Sequence, residues 1–242
     1  MAGDQPLKDE ATQAYAWFSA IATEDWNTMR RLHDSGLGID VSHPLRQTTA
    51  LMEATRQGRA KVVEWLLHHG ATPSFVAGVR ATTAIHVSLK LQHWAITERL
   101  ILAAPTTALV DHAGRTPLHM LCNTTITEQR QLAMALKLAE TMITKGTRID
   151  ALCSEGISAL HYCVINDLDK IAELLLSKGA NPNIMSPESK VTPLTIAALE
   201  HQRHLAALLI RFGGCPNMST QDGKTPMQLM PEIKQLTGNQ PH

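Results

Sequence analysis

A short phrase recurs six times along the chain, as Thr49-Ala-Leu-Met52, Thr83-Ala-Ile-His86, Thr116-Pro-Leu-His119, Ser158-Ala-Leu-His161, Thr192-Pro-Leu-Thr195 and Thr225-Pro-Met-Gln228. The first residues of successive copies are 34, 33, 42, 34 and 33 positions apart. Four copies are followed by a glycine, 21 residues on for Gly70, Gly179 and Gly213 and 30 residues on for Gly146. Around these glycines the text repeats again, as Trp65-Leu-Leu-His-His-Gly-Ala71 and Leu174-Leu-Leu-Ser-Lys-Gly-Ala180. A fixed period near 33 restricts the fold more than any local motif, because each copy must be one supersecondary unit.

Each copy reads as a pair of short helices. Proline after threonine suits a helix start, where the hydroxyl satisfies one free amide and the ring lacks another. A turn falls near Gln57-Gly58 and Asn166-Asp167. A second helix then carries apolar residues at helical spacing, as in Ile171, Leu174 and Leu175, and closes on Gly179. One such pair cannot bury both faces, so the copies must stack.

The period and the Thr-Pro-Leu-His phrase resemble the ankyrin repeat over about residues 42–230. The resemblance implies an all-α ankyrin-repeat solenoid of stacked helix-turn-helix pairs with short β-type fingers. It places one domain at 13–236, with a degenerate cap at 14–41, repeats from about 42, 76, 109, 151 and 185, and a truncated cap at 218–236. Trp17, Ile21, Met29 and Leu32 supply the first cap's apolar positions. Residues 1–12 are expected to be disordered and 237–242 frayed.

Composition excludes several function classes. Lysine plus arginine (22) cancels aspartate plus glutamate (22), and aromatics are 4%, so neither a basic field nor a stacking surface for nucleic acid is expected. No apolar run reaches the roughly 20 residues of a membrane span, and residues 1–13 show no signal-peptide core. Four cysteines (Cys122, Cys153, Cys163, Cys215) include no Cys-x-x-Cys pair, which favours reduced, buried thiols and a cytoplasmic setting. No cofactor, metal or catalytic motif is expected. His201 and His204 make at most half a metal site, and His68-His69 sits at a helix end where positive charge suits the dipole.

In the family, His86, His119 and His161 occupy one repeat position and hydrogen-bond to neighbouring turns, so their implied role is structural, like that of Gly70, Gly146, Gly179 and Gly213. Cys122 and Cys163 fall where the family has small packing residues. Partners of ankyrin proteins dock on a concave face, which corresponds here to residues four, three and one before each Thr or Ser and seven and eight after it. Those positions carry Arg46, Arg56, Arg80, Lys90 and Arg115 in the first three repeats, with no anion. The later repeats carry Glu155, Glu188, Glu200 and Asp222 against Lys224. Leu91, Ile165 and Leu199 are apolar at the same positions. Two readings stand open: a bipolar groove, basic then acidic, that orients a partner protein, or scattered solvated charge.

Three departures matter. Glu53 stands where other repeats have Val87, Met120, Tyr162 and Ile196, so it needs a polar partner in the first cap or loosens that interface. Ala104-Pro105 replaces a closing glycine. The third repeat is nine residues longer; Thr125-Ile-Thr-Glu128 has capping-box form, and a second helix lengthened by about two turns is expected, used either for contact or as a tolerated insertion. The expected function is a non-catalytic, monomeric adaptor or inhibitor that binds a protein segment or surface. The alternatives are a bacterial effector acting by binding in a host cytosol, or an enzyme with an unrecognised site.

Overall fold

The computed structural model describes residues 10–78 and 81–237. The expected cation Arg80 and the tails 1–9 and 238–242 lie outside them. The chain divides into two compact units, residues 1–106 and 107–242.

The first unit holds three helix pairs: α1 (Glu10–Thr23) with α2 (Trp26–Asp34), α3 (Ala50–Arg56) with α4 (Ala60–His68), and α5 (Ala84–Lys90) with α6 (Trp94–Ala103). The first helices stack as a row, α1 on α3 on α5, and α4 packs on α6. The second unit holds α7 (Pro117–Cys122) with α8 (Gln129–Thr144), α9 (Ala159–Ile165) with α10 (Asp169–Ser177), α11 (Pro193–Leu199) with α12 (Arg203–Arg211), and α13 (Pro226–Leu229) with α14 (Ile233–Thr237). Its inner row is α7, α9, α11 and α13; its outer row is α8, α10, α12 and α14. No described helix is long and apolar enough to cross a membrane.

The recurring phrase starts every inner helix from α3 to α13 for one physical reason. The hydroxyls of Thr49, Thr83, Thr116, Ser158, Thr192 and Thr225 accept hydrogen bonds from the amides three residues on. Each cap is worth about 1 kcal/mol. Two residues before each capping hydroxyl the finger turn enters the left-handed region, at Gln47, Ala81, Gly114, Gly156, Lys190 and Gly223. Gly156 needs its missing side chain for a further reason, because a Cβ there would stand 2.7 Å from Pro187 Cδ. The fingers close by backbone bonds, such as Asp111 N to Arg115 O and Cys153 N to Ile157 O, both at 3.0 Å.

Trp17, Ile21, Met29 and Leu32 are all buried within the α1–α2 pair. Residues 10–12, expected in the disordered tail, are the first residues of α1. At the other end α14 comprises five described residues, Ile233–Thr237. The α6 helix ends with Ala104 in extended conformation ahead of Pro105, whereas Gly36, Gly70, Gly146, Gly179 and Gly213 end their helices with positive φ. The α8 helix has 16 residues against nine in α4, α10 and α12, an extension of about two turns. Its start differs from the expected Thr125–Glu128 box. Glu128 itself is the N-cap, and Gln131 Oε1 accepts from the Thr127 and Glu128 amides at 3.2 and 3.4 Å.

His119 and His161 tie each inner helix to the next finger. The Thr116 amide donates to His119 Nδ1 at 3.1 Å, and the Ser158 amide to His161 Nδ1 at 3.2 Å. An Nδ1 that accepts leaves the proton on Nε2, which donates to Ile157 O at 3.1 Å from His119 and to Val191 O at 3.2 Å from His161. Burial pushes the His161 pKa down to about 4, against a smaller upward pull from the Val191 carbonyl. Burial also lowers His119. A depressed histidine pKa means the unfolded chain binds the proton first. The stability tied to neutral His161 is therefore full above pH 6.5, the unfolded value, and falls as pH drops toward about 4. Urea unfolding of wild type is expected to lose roughly 3 kcal/mol across that window through this group. His161→Gln should be less stable at pH 7 and should show a smaller loss; an identical loss would contradict the assignment.

Candidate functional site

Glu53 is almost fully buried at the middle of α3, with 4% of its surface exposed. Its partners among the described residues come from its own repeat and not from the first cap. Arg56, one helical turn on, grips it in fork geometry, Nε to Oε2 at 3.1 Å and Nη2 to Oε1 at 2.5 Å. Gln57 Nε2 donates to Oε1 at 2.6 Å, and Arg46 from the finger stands 3.4 Å from the same oxygen. Burial pushes the Glu53 carboxyl up, but the bonds from Arg56 and Gln57 and the two guanidinium charges outweigh it and hold the carboxyl below its ordinary value.

The cluster borders a recess of 390 Å³ whose other walls include Tyr15 and Phe18 of α1 and His43 of the finger. Both aromatic rings meet His43 edge-on, at 5.6 Å from Tyr15 and 4.7 Å from Phe18. His43 Nδ1 accepts from the amides of Leu45 and Arg46 at 3.2 and 3.3 Å, which leaves the proton on Nε2. Elsewhere in the first unit, Lys90 and Leu91 are exposed at the end of α5.

Arg115, in the second unit, forks onto a carboxylate of its own finger. Asp111 is buried, and its Oδ2 accepts from Arg115 Nε and Nη2 at 3.0 and 2.8 Å. Oδ1 accepts the amides of Ala113 and Arg115, both at 2.9 Å. Three of the expected cations thus face buried carboxylates, which the spacing rule for finger and helix positions skips over.

The acidic positions differ. Glu155, Glu188, Glu200 and Asp222 are all exposed, and none forms an ion pair with a described residue. Ile165 and Leu199 end α9 and α11 in the same register and remain 48% and 51% exposed. The fingers also carry exposed Lys190 and Lys224; the first of these falls between the positions read from the sequence.

Cys122 and Cys163 are wholly buried, and burial drives the Cys163 thiol well up. His204 lies 3.7 Å from Asp169 on the outer row. No group of three or more metal-ligating side chains is found among the described residues.

Arg56→Ala removes the fork from a buried carboxylate. Its guanidinium is half exposed, so the loss is expected below that of a fully buried pair, about 2 kcal/mol by urea unfolding at pH 7. Pairing it with Glu53→Gln should restore most of that stability. A loss under about 0.5 kcal/mol would show that Glu53 does not depend on the fork.

Ankyrin-repeat family models match residues 46–76 and, as three copies, residues 85–186. The solved ankyrin repeat domain of Bcl-3, described as a member of the IkappaB protein family, superposes with a TM-score of 0.75 at 21% identity, covering 93% of this chain and 98% of that one. Human ankyrin repeat and SOCS box protein 16 is 40% identical over 57 residues, 24% of this chain and 13% of that protein. The NF-kappa-B p105 subunit of Gallus gallus is 26% identical over 148 residues, 61% of this chain and 14% of its own length. This chain therefore spans only about an eighth of the length of these two relatives. With the capped inner helices, finger turns and histidine ties already described, these matches establish that the chain belongs to the ankyrin-repeat family and has its all-α fold.

Proposed function

We propose that this chain is a non-catalytic protein-binding module, an adaptor or inhibitor that engages its partner through finger and inner-helix positions. One observation carries the reading. Ile165 and Leu199, in equal register on adjacent helices, stay about half exposed, and the same unit carries Glu155, Glu188, Glu200 and Asp222 exposed and without an ion pair to a described residue. Exposed apolar anchors framed by unpaired charge are what a protein interface uses, the apolar groups for affinity and the charge for orientation and rate.

The chemistry-bearing groups support the same reading because the fold employs them. His119 and His161 join repeats. Glu53 and Asp111 are locked by arginines. The expected basic set is accordingly weaker than its count: Arg46 and Arg56 share Glu53, and Arg115 is matched by Asp111. Lys90 and Leu91 complete the first unit's contribution, while Glu155, Glu188, Glu200 and Asp222 give the second unit's face its acidic character.

The test is a paired affinity capture read by mass spectrometry, with folding of each bait checked by circular dichroism. Leu199→Asp with Glu200→Lys is expected to lose the partner held by wild type, by at least about tenfold at equal bait. Lys90→Glu with Leu91→Asp reports on the first unit in the same way. A partner retained equally by both variants would overturn this placement of the binding face.

A further inference from the structure

We infer that the recess between α1 and α3 is a binding site for a side-chain carboxylate, that of an aspartate or glutamate next to an apolar residue in a partner protein. The inference rests on the protein-binding reading and adds the partner's chemistry at one place.

The argument is a balance of charge and of hydrogen-bonding groups. The cluster at the recess contains two guanidinium groups and one carboxylate, a net charge of +1. The carboxylate of Glu53 already accepts from Arg56 and Gln57 and faces Arg46, and its side chain is only 5% exposed. Little of it is left for an incoming cation. The arginine side chains are 57% and 55% exposed, and the pair with Glu53 uses only part of their five N–H donors each. The proton on His43 Nε2 adds a donor along the same wall. The side-chain surplus of the recess is therefore in donors and in positive charge.

One carboxylate neutralises the residual charge, whereas a phosphate group brings about −1.5 to −2 and overcompensates it. The guanidinium fork matches carboxylate geometry. The volume of 390 Å³ and the aromatic wall of Tyr15 and Phe18 leave room for an apolar neighbour beside the charged group. Glu53 has a second use in this arrangement. It holds both guanidinium groups in place before the ligand arrives, so less side-chain freedom is lost on binding.

The experiment is an NMR titration of the full chain, observing the Nε–H resonances of Arg46 and Arg56 and the side-chain amide of Gln57. The probes are N-acetyl-leucyl-glutamyl amide, its glutaminyl counterpart and inorganic phosphate. Saturable shifts with the glutamyl probe, at least about tenfold tighter than with the glutaminyl one, are expected. Arg46→Gln, which leaves the Arg56 fork on Glu53, should lose a similar factor. Equal response to the glutamyl and glutaminyl probes, tighter binding of phosphate, no saturable shift, or an unaltered Arg46→Gln would each overturn the proposal. The partner capture reads Leu199 and Glu200 independently, so failure here leaves that reading standing.

Discussion

A capping hydroxyl, the amide three residues on and the side chain at that same position make one small hydrogen-bonded box, and the stack depends on it. The hydroxyl cap fixes where each inner helix from α3 to α13 starts, and in α7, α9, α11 and α13 the side chain three residues on closes it into a full box. In α7 and α9 that side chain is a histidine whose far nitrogen reaches out of the repeat and donates to the next finger, at Ile157 O from His119 and at Val191 O from His161. Thr195 keeps the box, with Thr192 N and Oγ1 at 3.4 and 2.9 Å, but is too short to make the reach. The fingers are then joined by backbone alone, Gln221 N to Ser189 O at 3.1 Å. Each tie acts between neighbours, as expected when stability is a sum of repeats and nearest-neighbour interfaces.

The outer helices add a weaker device. Arg59 meets Glu24 at 2.8 Å, Arg99 meets Glu64 at 2.7 Å, and Arg211 meets Glu173 at 2.7 Å, each bridging one repeat to the one before. These pairs are exposed and contribute little energy. The Arg99 and Arg211 pairs link neighbouring outer helices, and the Arg59 pair links the start of α4 to the α1–α2 turn.

The helix pairs and their caps were legible because the hydroxyl, the proline and the closing glycine each have one local role that repeats. The lengthened α8 was legible for the same reason, as a gap of 30 residues where 21 is the rule. Finger conformation was less so. Gln47, Ala81 and Lys190 take the left-handed turn that Gly114, Gly156 and Gly223 take, and nothing in their side chains announces it. The charge pattern misled in a specific way. Choosing positions by repeat register passed over Glu53 and Asp111, whose side chains turn inward and hold the arginines. The Glu53–Arg56 spacing of one helical turn was the available signal. The recess itself needs Tyr15 and His43 brought together from α1 and a finger, which no local pattern encodes.

Native-state hydrogen exchange by mass spectrometry, comparing wild type with His119→Asn at neutral pH, tests the nearest-neighbour tie most directly. Loss of the His119 bond should lower protection in α7, in the finger at 153–157 and in α9, while α11 and α12 exchange as in wild type. An even loss across the second unit, or one confined to α7, would contradict the account.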